Sequence, residues 1–232
     1  SMTADKRKYG FRRAFTLRPH LLKGMLSISG WTMVQSFISV SIWFIFFLAI
    51  EHLGERPLAV TNIVRNISAL LIMVISAFAT TAGALISNQI GAGEQRCLFK
   101  TCGMTLKLTY AILIPLLIIL CLFPESVLRA FTDSPSLIAA SVNSVYVMAS
   151  STLIMAPSFI LFNAVSGTGN TRAGFIMEMI SLAVYTAVIY YGIIRLKPDV
   201  ALCWFSEHVY GVTLIFLAWW YLKSGKWRGK KV

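Results

Sequence analysis

Long apolar stretches alternate with short polar ones along most of the chain. Six of these stretches run for 20 residues or more and carry at most one Asp, Glu, Lys or Arg each. An α-helix needs about 20 mostly apolar residues to cross about 30 Å of hydrocarbon. The pattern therefore predicts an all-α, multi-pass membrane protein with six transmembrane helices, over residues 26–50, 59–88, 104–123, 138–163, 173–194 and 200–222.

Composition supports this class and excludes two others. Of the 232 residues, 57% are hydrophobic and 13% are charged, whereas soluble domains carry about 25% charged residues. The chain lacks the polar surface of a soluble globule and is too apolar for a disordered protein. The four cysteines have no CxxC spacing, so we expect no disulfide framework, no bound metal and no cofactor.

More than half of the Lys and Arg residues lie at the two ends of the chain, outside the membrane body of residues 24–222. Seven of the 21 Lys and Arg precede residue 24, in a segment (1–23) that we expect to be a tag-cleavage remnant followed by a basic cytoplasmic linker, and five lie in the basic cytoplasmic tail predicted at 223–232. Alternating spans place 16 of them on the side of the two ends and 4 on the other. The positive-inside rule then predicts cytoplasmic termini in the plasma (inner) membrane. This placement argues against nucleic-acid binding.

Polar side chains recur at helical spacing inside the apolar stretches. Lipid cannot satisfy them, so we expect them to face a wet cavity or substrate path, or to form hydrogen bonds between helices. The candidate cavity-facing residues are Gln35, Ser39, Asn62, Arg65, Asn143, Glu178 and Glu207.

Arg65 and Glu207 are predicted to lie about seven residues from the outer ends of their spans, hence at one depth. Opposite charges cost less together, so we expect the two to approach each other or to share a hydrated pocket, with Glu178 at a different depth. The alternative is that Arg65 reaches the outer headgroups while Glu207 is protonated or hydrated.

Helix breakers mark bends and turns. Pro115 and Pro157 fall inside predicted spans and predict kinks, either fixed in shape or used in motion. Two Gly-rich segments predict tight turns on the cytoplasmic side, with structural roles for Gly91, Gly93, Gly167, Gly169 and Arg172.

Three segments in register resemble the multidrug and toxic-compound extrusion (MATE) transporter family. They are LAVTNIVRNI (Leu58–Ile67), AGALISNQIGAG (Ala82–Gly93) and FNAVSGTGNTR (Phe162–Arg172). The resemblance implies one lobe of a twelve-helix, two-lobe transporter, and the basic linker favours the C-terminal lobe. Such transporters export amphipathic, often cationic, small molecules in exchange for sodium ions or protons. The implied partners are the lipid bilayer and either a missing N-terminal lobe or a second copy of this lobe.

Two features depart from the family pattern. Sodium-coupled members carry carboxylates in the helices that correspond to the first and fourth spans, and neither span contains Asp or Glu here. We therefore expect the coupling Na⁺ or H⁺ to bind outside this lobe. Asn170 also stands where the family's turn usually has Asp.

Other function classes have weaker support in the sequence. An intramembrane protease needs a serine and a histidine that face each other, and no Gly-x-Ser-x-Gly or His-x-x-Glu-His pattern occurs. We therefore do not expect an enzyme. A partner-binding subunit, a lipid or polysaccharide flippase of the related superfamily and a dimerising half-transporter stay open as alternatives.

The predicted topology can be tested by labelling single cysteines in a background without the four native ones. A cysteine at Lys226 should be shielded from a membrane-impermeant thiol reagent in sealed cells, because the tail is predicted to be cytoplasmic. Cysteines at Arg56 and Arg129, in predicted outer loops, should react. Labelling of position 226 from outside would contradict this topology.

Overall fold

A computed structural model describes residues 19–196, 198–225 and 227–228, and in this part of the chain all regular structure is helical. The α-helices are α1 (Pro19–Glu51), α2 (Glu55–Gly91), α3 (Leu98–Leu122), α4 (Pro124–Leu128), α5 (Pro135–Gly167), α6 (Thr171–Val188), α7 (Val200–Cys203) and α8 (Ser206–Ser224). A 3₁₀ turn, Gln95–Cys97, precedes α3, and a π-helix, Ile189–Arg195, continues α6.

Six helical segments of the described chain are long and apolar enough to cross a membrane, which confirms the predicted number. The last one differs from the prediction, since it is divided into α7 and α8 at Trp204 and Phe205. Asp199 begins this segment by accepting a hydrogen bond from the backbone N–H of Val200 (2.7 Å). The predicted roles of residues 1–18, Lys197 and most of the basic tail fall outside the described residues.

Helix α5 is the centre of the lobe. It packs against α2, α3 and α8. In the most apolar stretch of α5, 50% of the residues are buried, compared with 17% in the most apolar stretch of α1. The largest buried apolar cluster joins α2, α3 and α5 and includes Ile75, Leu113 and Met148. Helix α1 is peripheral and contacts mainly α6, α2 and the π-helix.

Two glycines allow α2 and α5 to pack very closely. A Cβ atom on Gly167 would overlap the carbonyl oxygen of Gly83, and one on Gly83 would lie 2.9 Å from the carbonyl oxygen of Asn163. Small residues at such contacts let helix backbones approach within a membrane. Gly167 therefore serves helix packing at the last turn of α5, beyond the turn role that the sequence predicts.

The predicted turns follow α2 and α5. Gly93 (φ 82°) and Gly169 (φ 77°) have left-handed backbone conformations, which glycine adopts without strain, while Gly91 is the last residue of its helix. Arg172 is exposed in the first turn of α6. Helices α3 and α5 continue through Pro115 and Pro157.

Asn170 has a specific role at the start of α6. Its side-chain oxygen accepts a hydrogen bond from the backbone N–H of Ala173 (3.3 Å), and its amide nitrogen donates to the hydroxyl oxygen of Tyr221 (2.6 Å). An ionised aspartate could cap the helix but has no N–H to donate. Asn170 thus ties α6 to α8 as a donor, whereas an aspartate here would have to accept from the Tyr221 hydroxyl.

The close contact of α2 and α5 predicts that Gly167→Ala destabilises the lobe. The added methyl group must push the helices apart, at a cost of about 1–3 kcal/mol, which corresponds to a loss of several degrees in the unfolding temperature. The measurement is thermal unfolding in detergent. Gly103→Ala in α3 is the matched control, because a Cβ there has no neighbour within 4 Å. Equal effects of the two substitutions would contradict the packing role.

Candidate functional site

A cavity of about 230 Å³ lies among the helices and contains two carboxylates. We call it the acidic pocket. Its walls come from α1, α2, α5, α6 and α8, and are formed by Ser39, Trp43, Ile72, Met155, Phe159, Glu178, Leu182, Tyr185, Glu207 and Tyr210.

Helical spacing brings the polar groups of the acidic pocket to one face of each helix. Glu178 and Tyr185 are seven residues apart on α6, and Glu207 and Tyr210 are three residues apart on α8. Both spacings return the side chains to nearly the same side of an α-helix. The sequence alone therefore supplies the two faces, and the packing of α6 against α8 joins them.

Hydroxyl groups surround both carboxylates. Oε1 of Glu178 accepts hydrogen bonds from Ser39 Oγ (3.0 Å) and from the Tyr210 hydroxyl (2.9 Å). Oε1 of Glu207 accepts one from the Tyr185 hydroxyl (3.0 Å). The rings of Tyr185 and Tyr210 are in edge contact, with centroids 5.9 Å apart, so the two acids belong to one cluster.

The cluster contains no basic side chain among the residues that the structure describes. Glu178 and Glu207 are 5% and 9% exposed, and their neighbours are neutral donors and aromatic rings. A buried carboxylate without an opposite charge is costly, so such groups take up a proton or bind a cation. The arrangement can therefore hold and release a proton or a small monovalent cation.

Arg65 lies in a separate, more open groove. The groove has a volume of about 340 Å³ and is lined by Ser39, Val40, Trp43, Phe44, Phe47 and Arg65. We call it the arginine groove. The guanidinium carbon of Arg65 lies 5.0 Å from the ring centre of Phe47 and 5.9 Å from that of Trp43, which are cation–π distances.

The prediction that Arg65 and Glu207 approach each other or share a pocket is wrong, because they line different cavities. Arg65 contacts the two aromatic rings, whereas Glu207 is bonded to Tyr185 in the acidic pocket. Ser39 and Trp43 line both cavities and therefore stand at the boundary between them. Glu178 instead shares the pocket of Glu207, although its depth was expected to differ.

The prediction failed because it took the number of residues from the end of a span as a measure of depth in the membrane. A count gives depth only for straight, similarly tilted helices that begin at the membrane surface. The sixth span is divided at Trp204 and Phe205, and α6 passes into a π-helix, so these segments do not obey the count.

The remaining candidates lie elsewhere or at the edge of these sites. Gln35 is half-buried on α1, and its backbone carbonyl lies 3.0 Å from Ser39 Oγ, where it competes with Glu178 for the single hydroxyl proton. Asn62 is exposed on α2, and Asn143 is exposed on α5 and does not line either cavity. Tyr210 and Trp43 were not identified as candidates from the sequence. Tyr210 could have been found, because it lies three residues after Glu207 and therefore on nearly the same face of the helix.

Comparison with known proteins identifies the family. The MatE family model matches residues 32–191. The chain belongs to the MatE family. This confirms the family that the three sequence motifs indicate, and MatE proteins are multi-pass membrane transporters rather than enzymes. No curated protein matches the sequence.

Solved structures share the fold of this MatE chain at low identity. An outward-facing multidrug-resistance MATE transporter of the MOP superfamily is 14% identical, with a TM-score of 0.77 over 88% of this chain and 46% of that one. A MATE protein in its straight conformation has a TM-score of 0.74, with 14% identity over 90% and 47% of the two chains.

A MOP superfamily transporter from Pyrococcus furiosus is also similar, with a TM-score of 0.75 and 14% identity over 86% of this chain and 44% of that one. It is described as having a binding pocket of reversed polarity that suggests a different function. This chain thus spans about half the length of the solved transporters that it matches, as expected for one six-helix lobe.

The two separate sites predict different energetic coupling. Tyr185→Phe and Glu207→Gln should be coupled by about 0.5–3 kcal/mol in a double-mutant cycle, because each substitution removes the same hydrogen bond. Arg65→Gln and Glu207→Gln should be additive within about 0.5 kcal/mol, because the two side chains do not meet. The measurement is the free energy of unfolding in detergent. Coupling of Arg65 to Glu207 as strong as that of Tyr185 would contradict the separation.

Proposed function

We propose that this chain is the C-terminal half of a cation-coupled MatE transporter that exports amphipathic, often cationic, small molecules in exchange for sodium ions or protons. The observation that carries the proposal is a face of α2, with two amide side chains on it, that the lobe itself leaves uncovered. It is supported by family membership and by the acidic pocket.

The uncovered face of α2 follows the helical repeat. Its members are exposed and spaced three or four positions apart, namely Asn62, Asn66, Ala69, Met73, Ala77 and Thr80. The hydroxyl group of Thr80 donates to the carbonyl oxygen of Ser76, but hydrocarbon offers no hydrogen-bond partner to the amides of Asn62 and Asn66. These amides therefore lie against protein or water. A transport path between two lobes supplies both.

The length of the chain agrees with a second lobe on this face. The matched transporters are about twice as long as this chain. The second lobe is either a further part of the native polypeptide or a second copy of this chain. In both cases the uncovered face of α2 becomes one wall of the path that the exported molecule follows.

The acidic pocket is the proposed site of the coupling ion in this lobe. The first and fourth spans lack carboxylates, which led us to expect the ion outside the lobe, but Glu178 and Glu207 provide two buried acids on α6 and α8. Uptake of one proton or Na⁺ offsets the charge of one carboxylate in the pocket, and its release restores that charge. Ser39 connects this change to α1, since its hydroxyl group donates to Glu178.

A flippase for anionic lipids is the second candidate, and Arg65 is the observation that favours it. The arginine groove carries a positive charge and has no carboxylate in its lining, and the similar MOP superfamily transporter from Pyrococcus furiosus is described as having a binding pocket of reversed polarity. Movement of lipid across vesicles without any ion gradient would favour this candidate over coupled export.

The proposal predicts ion-gradient-driven export of an amphipathic cationic dye from proteoliposomes that contain the polypeptide as the native gene encodes it. Glu178→Gln should lower the gradient-driven rate by at least tenfold, because the amide cannot take up a proton or balance a cation. Glu125→Gln, which changes an exposed carboxylate on α4, is the matched control and should stay within twofold of the wild type.

The same assay contains the outcomes that contradict the proposal. Full export by Glu178→Gln would remove the coupling role of the acidic pocket. Absence of gradient-driven export by the wild type, with sodium and with proton gradients, would contradict coupled transport itself. The 232-residue chain reconstituted alone should be inactive unless two copies pair, because one lobe provides only one wall of the path.

A further inference from the structure

Arg65 is a charged side chain inside an apolar helix for which the described structure provides no acceptor. Between Arg56 and Glu94 it is the single charged residue in the sequence. Its guanidinium donates no hydrogen bond to a described residue, and its Nε atom is buried without a partner. Since arginine stays protonated in proteins, the group needs either an anion or water.

We propose that the arginine groove binds the anionic group, a phosphate or a carboxylate, of a molecule with an apolar or aromatic body. The inference rests on the proposed function in one respect: the anionic group belongs to a molecule that the transporter moves or holds. It departs from the cationic cargo that family resemblance implies.

The contacts of Arg65 favour an anion at its edge. The rings of Phe47 and Trp43 lie 5.0 and 5.9 Å from the guanidinium carbon. Such ring contacts stabilise the positive charge but accept no hydrogen bond along the edge of the guanidinium, where its N–H groups point. A phosphate or carboxylate accepts two parallel hydrogen bonds from that edge, which is the geometry that arginine recognises best.

The acids of the lobe do not compete for this position. Glu178 is hydrogen-bonded to Tyr210 and to Ser39, which stands between the two cavities, and Glu207 is hydrogen-bonded to Tyr185; neither acid lines the arginine groove. The lobe therefore keeps its negative and positive intramembrane charges in two cavities that share only Ser39 and Trp43 as walls.

The groove around Arg65 has room for the rest of an amphiphile. Its volume is about 340 Å³, and Val40, Phe44 and Phe47 give it apolar walls. Phe44 is 65% exposed, so the groove is open at this point. A ring system or a segment of an acyl chain fits such a groove, with its charged end at Arg65. Asn62, one helical turn before Arg65, adds an exposed amide on the same side of α2.

The test is equilibrium binding to the purified full chain in a maltoside detergent that contains no phosphate. The probes are 1-naphthyl phosphate and, as a cation of similar shape, 1-naphthylmethylammonium. We expect the anion to bind at least tenfold more tightly than the cation. Trp43 fluorescence reports binding, and Trp43→Phe identifies its signal among those of the other tryptophans.

Three arginine variants assign the binding to Arg65. Arg65→Gln should weaken binding of the anion at least tenfold and leave that of the cation unchanged. Arg65→Lys keeps the positive charge but loses the planar guanidinium with its paired N–H groups, so it should weaken binding of the anion by a smaller factor. Arg56→Gln removes an exposed arginine nine residues earlier on α2 and should have an effect below twofold. Unfolding temperatures of all variants show that each is folded.

The source of the anionic group follows from repeating the titration in nanodiscs of phosphatidylcholine. Loss of probe binding there, together with less phospholipid co-purifying with Arg65→Gln, assigns the groove to the phosphate of a membrane lipid. Binding that persists in nanodiscs assigns it to a cargo molecule. Equal affinity for anion and cation, or an Arg65→Gln variant that binds the anion like the wild type, would overturn the inference.

This outcome is independent of the transport assay. A chain that exports a dye under a gradient but shows no anion binding contradicts only the inference about Arg65. A chain that binds the anion at Arg65 but moves no dye contradicts only coupled export.

Discussion

The absence of water from the bilayer core is the constraint on which the rest of this structure depends. Every polar group in a membrane helix must find its partner within the protein, in a second protein or in a water-filled cavity. Many serine and threonine side chains of the described helices find a partner locally; Thr109, for example, donates to the carbonyl oxygen of Thr105 (2.9 Å). The groups that local bonding cannot satisfy, above all the ionisable ones, then determine where the lobe forms cavities.

The intramembrane charges are divided between two sites, each with its own neutral partners. Hydroxyl groups from α1, α6 and α8 donate hydrogen bonds to Glu178 and Glu207, while two aromatic rings of α1 form cation–π contacts with Arg65. An ion pair between Arg65 and an acid would neutralise both charges and leave neither able to bind an exchangeable ion or ligand. Ser39 and Trp43 stand between the two cavities, so the charges do not neutralise each other, as the proposed ion site and anion site require.

Close helix packing supports these sites from outside them. Helix α5 lies between α2 and α8 and contributes Met155 and Phe159 to the acidic pocket. The contact of Gly83 with Gly167 brings α2 and α5 together at the last turn of α5, about two to three turns beyond these residues, and the hydrogen bond of Asn170 to Tyr221 connects α6 to α8. The two helices that carry the acids are thus joined near the turn that the family motif encodes.

The sequence by itself determined the features that depend on local composition and on helical period. Six apolar stretches predict six spans because bilayer thickness sets the length of a helix, and the three motifs indicate the MatE family. The spacing of Glu178 and Tyr185 places both on one face of α6 whatever the packing. Only the tertiary structure decided which charged residues meet. Arg65 and Glu207 were paired by residue count, but the break before Ser206 and the neighbours of α1 place them in different cavities. A count along the chain measures position on one helix, whereas a contact between helices depends on the tilt, rotation and breaks of both. Those quantities result from the packing of all the helices together, so no single segment of the sequence contains them.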